Sequence, residues 1–476
     1  MENKYSIMKI FNMSPTQILV FGFFVVIMLG AFLLNLPVAS MNGESIGFID
    51  ALFTSTSAVC VTGLVVVNTL AHWSVFGKVV IICLIQIGGL GFMSLVTMLF
   101  LLLGKRITLK GRLLIQEAFN QNDMSGMVKL VLNIIKGTIL VELIGAIMLS
   151  FVFIPEHGIK RGIFYSIFHS ISAFCNAGFD IVGDSSLTPY VYNPMVNITI
   201  MLLIIIGGIG FTVWIDFIET TKIKIREKLS LKKWFDKFSL HTKLVLSLTT
   251  FFLVVGFIFF FIAEYRNPET LGSMTLGQKV WASMFQSVTP RTAGFNTIDL
   301  GAMSYASKFM TILLMFVGGS PAGTAGGIKT VTVGILILTV LSTLRGEDKV
   351  NVYGRKISFS LVNRALAVIM IAMSIVVGVT MLLSITEAPS FLTGGAGSVC
   401  AYPSFMDLFF EATSAFATVG LTLGITSSLS VAGKIIIAIT MFIGRLGPVT
   451  IALALLLKQD DNKNKIEYPE EKILVG

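Results

Sequence analysis

The length of its apolar runs most limits what this chain can fold into. Eight of them, at about residues 17–36, 75–103, 128–153, 194–217, 243–263, 306–344, 362–385 and 431–457, are each close to 20 residues or longer. About 20 apolar residues suffice for a helix to cross a hydrocarbon core of about 30 Å. A shorter apolar piece of about 10–14 residues lies between the first and second, third and fourth, fifth and sixth, and seventh and eighth runs. Pieces of that length do not span and read as re-entrant or core helices. The spacing predicts an all-α polytopic membrane protein with 8 transmembrane helices and 4 re-entrant pore helices. Charged residues make up 13% of the 476, against about 25% in soluble domains. The net charge of +9 comes from Lys and Arg in the loops between apolar runs, which is topology control and argues against a nucleic-acid partner.

Basic residues set the orientation. Lys105, Arg106, Lys110 and Arg112 follow the second run, seven lysines and arginines from Lys222 to Lys237 follow the fourth, and Arg345, Lys349, Arg355 and Lys356 follow the sixth. These loops share one side with both termini, which the positive-inside rule makes cytoplasmic, so the short pieces dip in from outside. The N-terminal lead has no cleavage site after its first apolar run, which therefore reads as a span. The four cysteines, Cys60, Cys83, Cys175 and Cys400, are scattered and imply neither zinc nor a disulfide framework.

Four segments align on a glycine: TSTSAVCVTGLVV on Gly63, HSISAFCNAGFDI on Gly178, QSVTPRTAGFNTI on Gly294 and EATSAFATVGLTL on Gly420. Ser57, Ser172 and Ser414 stand six residues before their glycines, where the third copy has Val288; Phe53, Phe168 and Phe410 stand ten before, with Phe285 one place off. A second motif follows in each copy as IGGLGF (87–92), IGGIGF (206–211), VGGSPAGTAGG (317–327) and IGRLGP (443–448). Two motifs recurring in one order imply four parallel repeats, at 1–112, 113–240, 241–356 and 357–476.

Such a motif suits a cation filter. Desolvating a monovalent ion is costly unless oxygens replace its water, and rings of backbone carbonyls do this in potassium channels. Glycine permits the backbone angles required, and irregular backbone is tolerated at membrane depth where it lines a wet cavity. Candidate ion ligands are Cys60, Val61, Thr62 and Gly63; Cys175, Asn176, Ala177 and Gly178; Thr292, Ala293 and Gly294; and Ala417, Thr418, Val419 and Gly420. A short helix ending at each loop turns its negative dipole end toward a cation.

With these motifs the sequence resembles the Ktr/Trk/HKT superfamily of potassium transporters (its ion-translocating subunit) over nearly the whole chain. QSVTPRTAGFNTID and GGSPAGTAGGIKT are the most specific pieces, and eight spans resemble the Ktr branch. The resemblance implies four helix, pore-loop, helix units around one pore, a homodimer, K+ as the transported ion and Na+ as a stimulating ion. It also implies gating by a cytosolic RCK ring of the KtrA or KtrC kind that binds ATP or ADP. Gly63 stands where sodium-selective plant relatives carry serine, which favours potassium. Pro290 stands where Thr or Ser is expected.

The sixth run is unlike the others. Gly318, Gly319, Ser320, Pro321, Ala322, Gly323, Thr324, Ala325, Gly326 and Gly327 hold too many glycines, at about 1 kcal/mol each, and a proline at about 3, for a regular helix. They predict a loop beneath the filter, which the resemblance makes the gate. Arg445 replaces a glycine at membrane depth, where a charge faces a cavity or partner; the resemblance directs it to the carbonyls of that loop. Asp180 and Asp299 either concentrate cations at the mouth or are ordinary solvated charges. No GxxxxGK[ST] or HExxH occurs, and His72, His157, His169 and His241 are scattered, so no enzyme is expected. The basic 222–243 and 345–364 segments serve docking or topology alone. A cation symporter with alternating access is the rival reading.

Overall fold

The computed structural model describes residues 14–91, 127–183, 186–347, 349–388, 403–447 and 450–451. The end of the second run, the 105–112 basic cluster, Cys400 and both chain ends lie outside the described residues. In chain order the helices are α1 (Pro15–Leu34), α2 (Phe48–Val59), α3 (Thr69–His72), α4 (Val75–Leu90), α5 (Met127–His157), α6 (Ile159–Phe174), α7 (Pro194–Gly208) and α8 (Phe211–Glu227). They continue as α9 (Leu231–Lys237), α10 (Leu240–Ala263), α11 (Leu276–Val288), α12 (Tyr305–Phe316), α13 (Thr330–Leu344), α14 (Phe359–Thr386), α15 (Phe405–Ala417) and α16 (Val431–Leu446). The only strands among the described residues are the two-residue pair Asn351–Val352 and Arg355–Lys356.

Four helices, α1, α5, α10 and α14, are long and apolar enough to cross a membrane among the described residues, and α7 with α8 forms a bent fifth. Only 22–39% of the most apolar stretch of the four is buried. Large side chains such as Phe21, Phe32, Ile139, Phe151, Ile262 and Met381 point outward, as a helix surrounded by lipid requires.

Hydropathy reads the second, fourth and eighth runs as unbroken, and the structure differs. The fourth bends by 98° between α7 and α8, and α4 and α16 end at Leu90 and Leu446. In each, the last glycine of the IGGxG-type motif follows at positive φ: Gly91 at +83°, Gly210 at +93° and Gly447 at +87°. Hydropathy averages over a window and does not register one residue in a conformation closed to L side chains. Beyond the bend, α8 runs on through Lys222, Lys224 and Arg226, so part of the basic linker is helical.

Each long helix packs on the short helix that follows it, α1 on α2, α5 on α6, α10 on α11 and α14 on α15. The later helices make the circular contacts: α4 packs on α6, α7 on α11, α12 on α15, and α16 back on α2. At this last seam Lys434 Nζ lies 2.7 Å from Asp50 Oδ1, joining residues 384 apart in sequence. Two acids also tie helix ends together. Glu264 accepts from the Ser304 N–H at 3.0 Å and its hydroxyl at 2.7 Å, and Glu387 accepts from the Ser430 N–H at 3.1 Å and its hydroxyl at 2.7 Å. Ser304 and Ser430 are the N-caps of α12 and α16.

Candidate functional site

The site begins where α2, α6, α11 and α15 end. These helices hold 12, 16, 13 and 13 residues, and the sequence-predicted ligands from Cys60 to Gly420 lie at or just past their ends, all buried. Two residues before each glycine the backbone turns left-handed, at Val61, Asn176, Thr292 and Thr418. The glycines themselves sit at φ +97°, +67°, +81° and +89°. Positive-φ residues alternating with an ordinary one turn consecutive carbonyls toward one side, and a side chain on the glycine would strain the turn.

The glycines face one another around a ring. A methyl added to Gly63 would meet Ala177 O at 2.5 Å, and one on Gly178 would meet the Gly294 Cα at 2.8 Å. One on Gly294 would meet Val419 O at 2.5 Å, and one on Gly420 the Thr62 carbonyl, with Gly63 Cα at 2.9 Å. The four segments thus surround one axis in chain order.

Hydrogen bonds hold each loop to its own helix. The N–H before each glycine donates to a carbonyl on the last turn: Thr62 to Ser57 at 2.8 Å, Ala177 to Ser172 at 2.8 Å, Ala293 to Thr289 at 3.0 Å and Val419 to Ser414 at 2.9 Å. The hydroxyls of Ser57 and Ser414 accept from the Gly63 and Gly420 N–H, each at 3.1 Å. Those of Ser172 and Thr289 donate to the carbonyls of Phe179 and Phe295. Thr289, not Val288, therefore fills the hydroxyl position in the third set. That loop is one residue shorter, which accounts for the offset of Phe285. The hydroxyls of Thr62, Thr292 and Thr418 are buried with no hydrogen-bond partner among the described residues, where a buried polar atom ordinarily has one.

The second motif supports this ring from below. Its first glycine lies against the end of a short helix, so that a methyl on Gly88, Gly207 or Gly444 would strike the carbonyl of Val59, Phe174 or Phe416. Between Phe316 and Thr330 the third set has a loop in place of a helix, with Val317 bridging Ile328. Ser320 N–H donates to Gly208 O at 2.9 Å and Thr324 N–H to Gly207 O at 3.2 Å, while Ala322 O accepts from Phe211 N–H at 2.8 Å. On the other side a methyl on Gly326 would meet Ala417 O at 3.0 Å, and one on Gly327 the Ala417 Cβ at 3.3 Å. Arg445 donates to Thr324 O and Gly88 O, and to Gly89 O at 3.4 Å. Gly318, Gly319, Pro321, Gly323 and Ala325 complete the loop beneath the ring.

Two cations here are not signalled by hydropathy. Arg291, in the third glycine loop, is buried and donates to Thr249 O at 3.2 Å and to the Thr330 hydroxyl at 3.1 Å, just past the loop. Lys329 donates to Ala325 O at 2.8 Å. A basic residue inside a glycine-rich apolar stretch was the available signal. Just past Gly178, burial raises Asp180 to about 7, against hydrogen bonds from Ser186 and Val182. Asp299 accepts from the Gly301 N–H at 2.8 Å in an exposed turn; the two acids do not form one cluster.

Residues 6–465 match the family described as TrkH, cation transport protein. The chain belongs to the TrkH family. Among curated relatives, the potassium/sodium uptake protein NtpJ of Enterococcus hirae is 42% identical over 98% of both chains. The Ktr system potassium uptake protein B of Bacillus subtilis is 42% identical over 99% of both. The crystal structure of the potassium transporter TrkH from Vibrio parahaemolyticus shares the fold, with a TM-score of 0.72 at 17% identity over 93% of this chain and 85% of that one. A TrkH-family chain with these apolar helices is a multi-pass membrane transport protein.

Proposed function

We propose that this chain takes up potassium by gated, channel-like conduction through a single pore, with four repeats bounded at 1–112, 113–240, 241–356 and 357–476. Each repeat contributes two spans and one re-entrant helix, and both termini are cytoplasmic. The observation that carries this reading is the ring in which Gly63, Gly178, Gly294 and Gly420 each face the next segment's backbone. Carbonyls of the residues before those glycines replace the ion's hydration shell. The four short helices end on the ring, so their negative ends stabilise a cation there. The buried hydroxyls of Thr62, Thr292 and Thr418, which have no partner among the described residues, are further oxygens within the same loops.

Beneath the filter, residues 318–327 act as the gate, held closed by Arg445 through Thr324 O and Gly88 O. Arg445 and Lys329 together place positive charge below the ring, a barrier to cation passage that lifts when the loop moves. Conduction follows the electrochemical gradient, worth about 2.3 kcal/mol per charge per 100 mV. The name of one relative, a Ktr system protein, supports a partner subunit, and that of another, a potassium/sodium uptake protein, supports a part for sodium. In this reading the partner is a cytosolic RCK ring regulated by ATP or ADP, and Na+ is a modulator. The functional unit is a homodimer.

Potassium accumulation by proteoliposomes under an imposed interior-negative potential tests this. With 100 mV, no sodium and no ATP, K+ is expected to accumulate up to about 50-fold. Accumulation that requires an imposed sodium gradient would instead establish the symporter reading.

A further inference from the structure

Ser57, Ser172, Thr289 and Ser414 occupy one position, as their shared hydrogen bonds define it. One helical turn earlier stand Thr54, His169, Gln286 and Glu411, each directly after a buried phenylalanine. All four are polar, and all are buried. A polar side chain there needs a partner, and the four find different ones.

His169 Nδ1 lies 2.7 Å from Tyr165 O. A carbonyl only accepts, so Nδ1 carries the proton and Nε2 is left as an acceptor. Nε2 takes the Ile181 N–H at 3.3 Å, and Ile181 lies on the segment leaving Gly178. Glu411 accepts from the hydroxyl of Thr422 at 2.7 Å and from that of Thr426, on the segment leaving Gly420. Thr54 turns back to Asp50 O in its own helix at 2.8 Å. Both amide atoms of Gln286, and the hydroxyl of Thr297 just past Gly294, have no partner among the described residues. The ring order is 63, 178, 294, 420, so the two loops anchored in this way stand diagonally across the pore.

We propose that His169 and Glu411 are positioning residues for ion selectivity, each tying the segment that leaves the filter back to its pore helix. The inference rests on the filter reading above. Neither side chain touches the ion; each fixes the width across one diagonal, where a carbonyl ring discriminates between cations. On the other diagonal, among the described residues, neither Thr54 nor Gln286 makes such a tie.

The test compares K+ and Na+ flux in proteoliposomes, with the amount and melting temperature of each variant measured alongside. His169→Leu and Glu411→Leu are expected to lower the K+/Na+ flux ratio about 2- to 10-fold, the effect of one lost hydrogen bond. His169→Gln, whose amide oxygen can still accept from Ile181, and Glu411→Gln, which can still pair with both threonines, restore the ratio. Thr54→Val leaves it unchanged. Should a leucine variant fail to fold, Thr426→Val removes one partner of Glu411 from outside the filter and lowers the ratio in the same direction. An unchanged ratio in folded leucine or Thr426→Val variants, or no recovery in the glutamine variants, overturns the proposal. Gly63→Ala separates the two readings. If it shifts the ratio while the leucine variants do not, the ties fail and the filter stands; if it does not shift the ratio, the filter itself fails.

Discussion

Gly63→Ala places a methyl group at the point where the ring has no room for one. Gly63 has φ +97°, and the new methyl would lie 2.5 Å from Ala177 O and 3.1 Å from the Gly178 Cα. Ordinary contact needs about 3.5 Å, so one segment must move by roughly 1 Å. The obstructing atoms are backbone, and no side chain can rotate away. Strain of about 1–3 kcal/mol at such a position is relieved by displacing the Ala177 carbonyl, one of those proposed to face the ion. At about 1.4 kcal/mol per decade, the K+/Na+ flux ratio falls by roughly 5- to 150-fold. Gly63→Ser acts in the same direction. Gly47→Ala is the control, since Gly47 has φ +93° with nothing within 4 Å. It carries the same backbone strain and displaces no carbonyl, so it lowers stability while the ratio holds. Paired flux measurements on both variants in proteoliposomes decide the matter. Equal ratios in Gly63→Ala, Gly47→Ala and the parent would refute the reasoning.

Three further outcomes follow from particular contacts. The partly buried Asp50–Lys434 pair at 2.7 Å closes the circle of helices, so Asp50→Asn and Lys434→Met should show a coupling of about 0.5–1 kcal/mol in a double-mutant melting cycle; no coupling removes the pair from the fold's stability. Burial alone would raise Glu264, but hydrogen bonds from Ser307, Ser304, Thr270 and Asn267 outweigh it and hold the carboxyl below 4.5. Its stabilisation is therefore present above that value and lost as pH falls through the lower folded value. Glu264→Gln should cost about 1 kcal/mol near neutral pH with the gap closing in acid, and a gap independent of pH would contradict the sign. Removing residues 322–324 takes away the Thr324 carbonyl held by Arg445 and should raise basal flux; unaltered flux counts against a gate there.

The membrane class, the glycine positions and the broken sixth run were legible because each depends on composition or on one residue type at fixed spacing. A glycine in the ring is forced by φ, and φ is local. Helix ends at Gly91, Gly210 and Gly447 were not, since a single left-handed residue hardly changes the hydropathy of a window. The one-residue shortening of the third loop was also hidden. Matching by residue count aligned Val288 with the serines, whereas the hydrogen bonds select Thr289. His169 looked like one scattered histidine among four. Its position became informative only when the same turn of the other short helices supplied Thr54, Gln286 and Glu411. Contacts that close the circle, such as Asp50 with Lys434, join distant parts of the chain and leave no local pattern.

Single-channel recording of the purified protein in planar bilayers, at zero sodium, tests the central claim most directly. A carbonyl-lined pore with a movable loop beneath it is predicted to give discrete, potassium-selective current steps. The corresponding ion flux should lie far above the rate on the order of 10³ per second that millisecond conformational cycles permit. A saturating flux at or below that rate, with no resolvable steps, would contradict it.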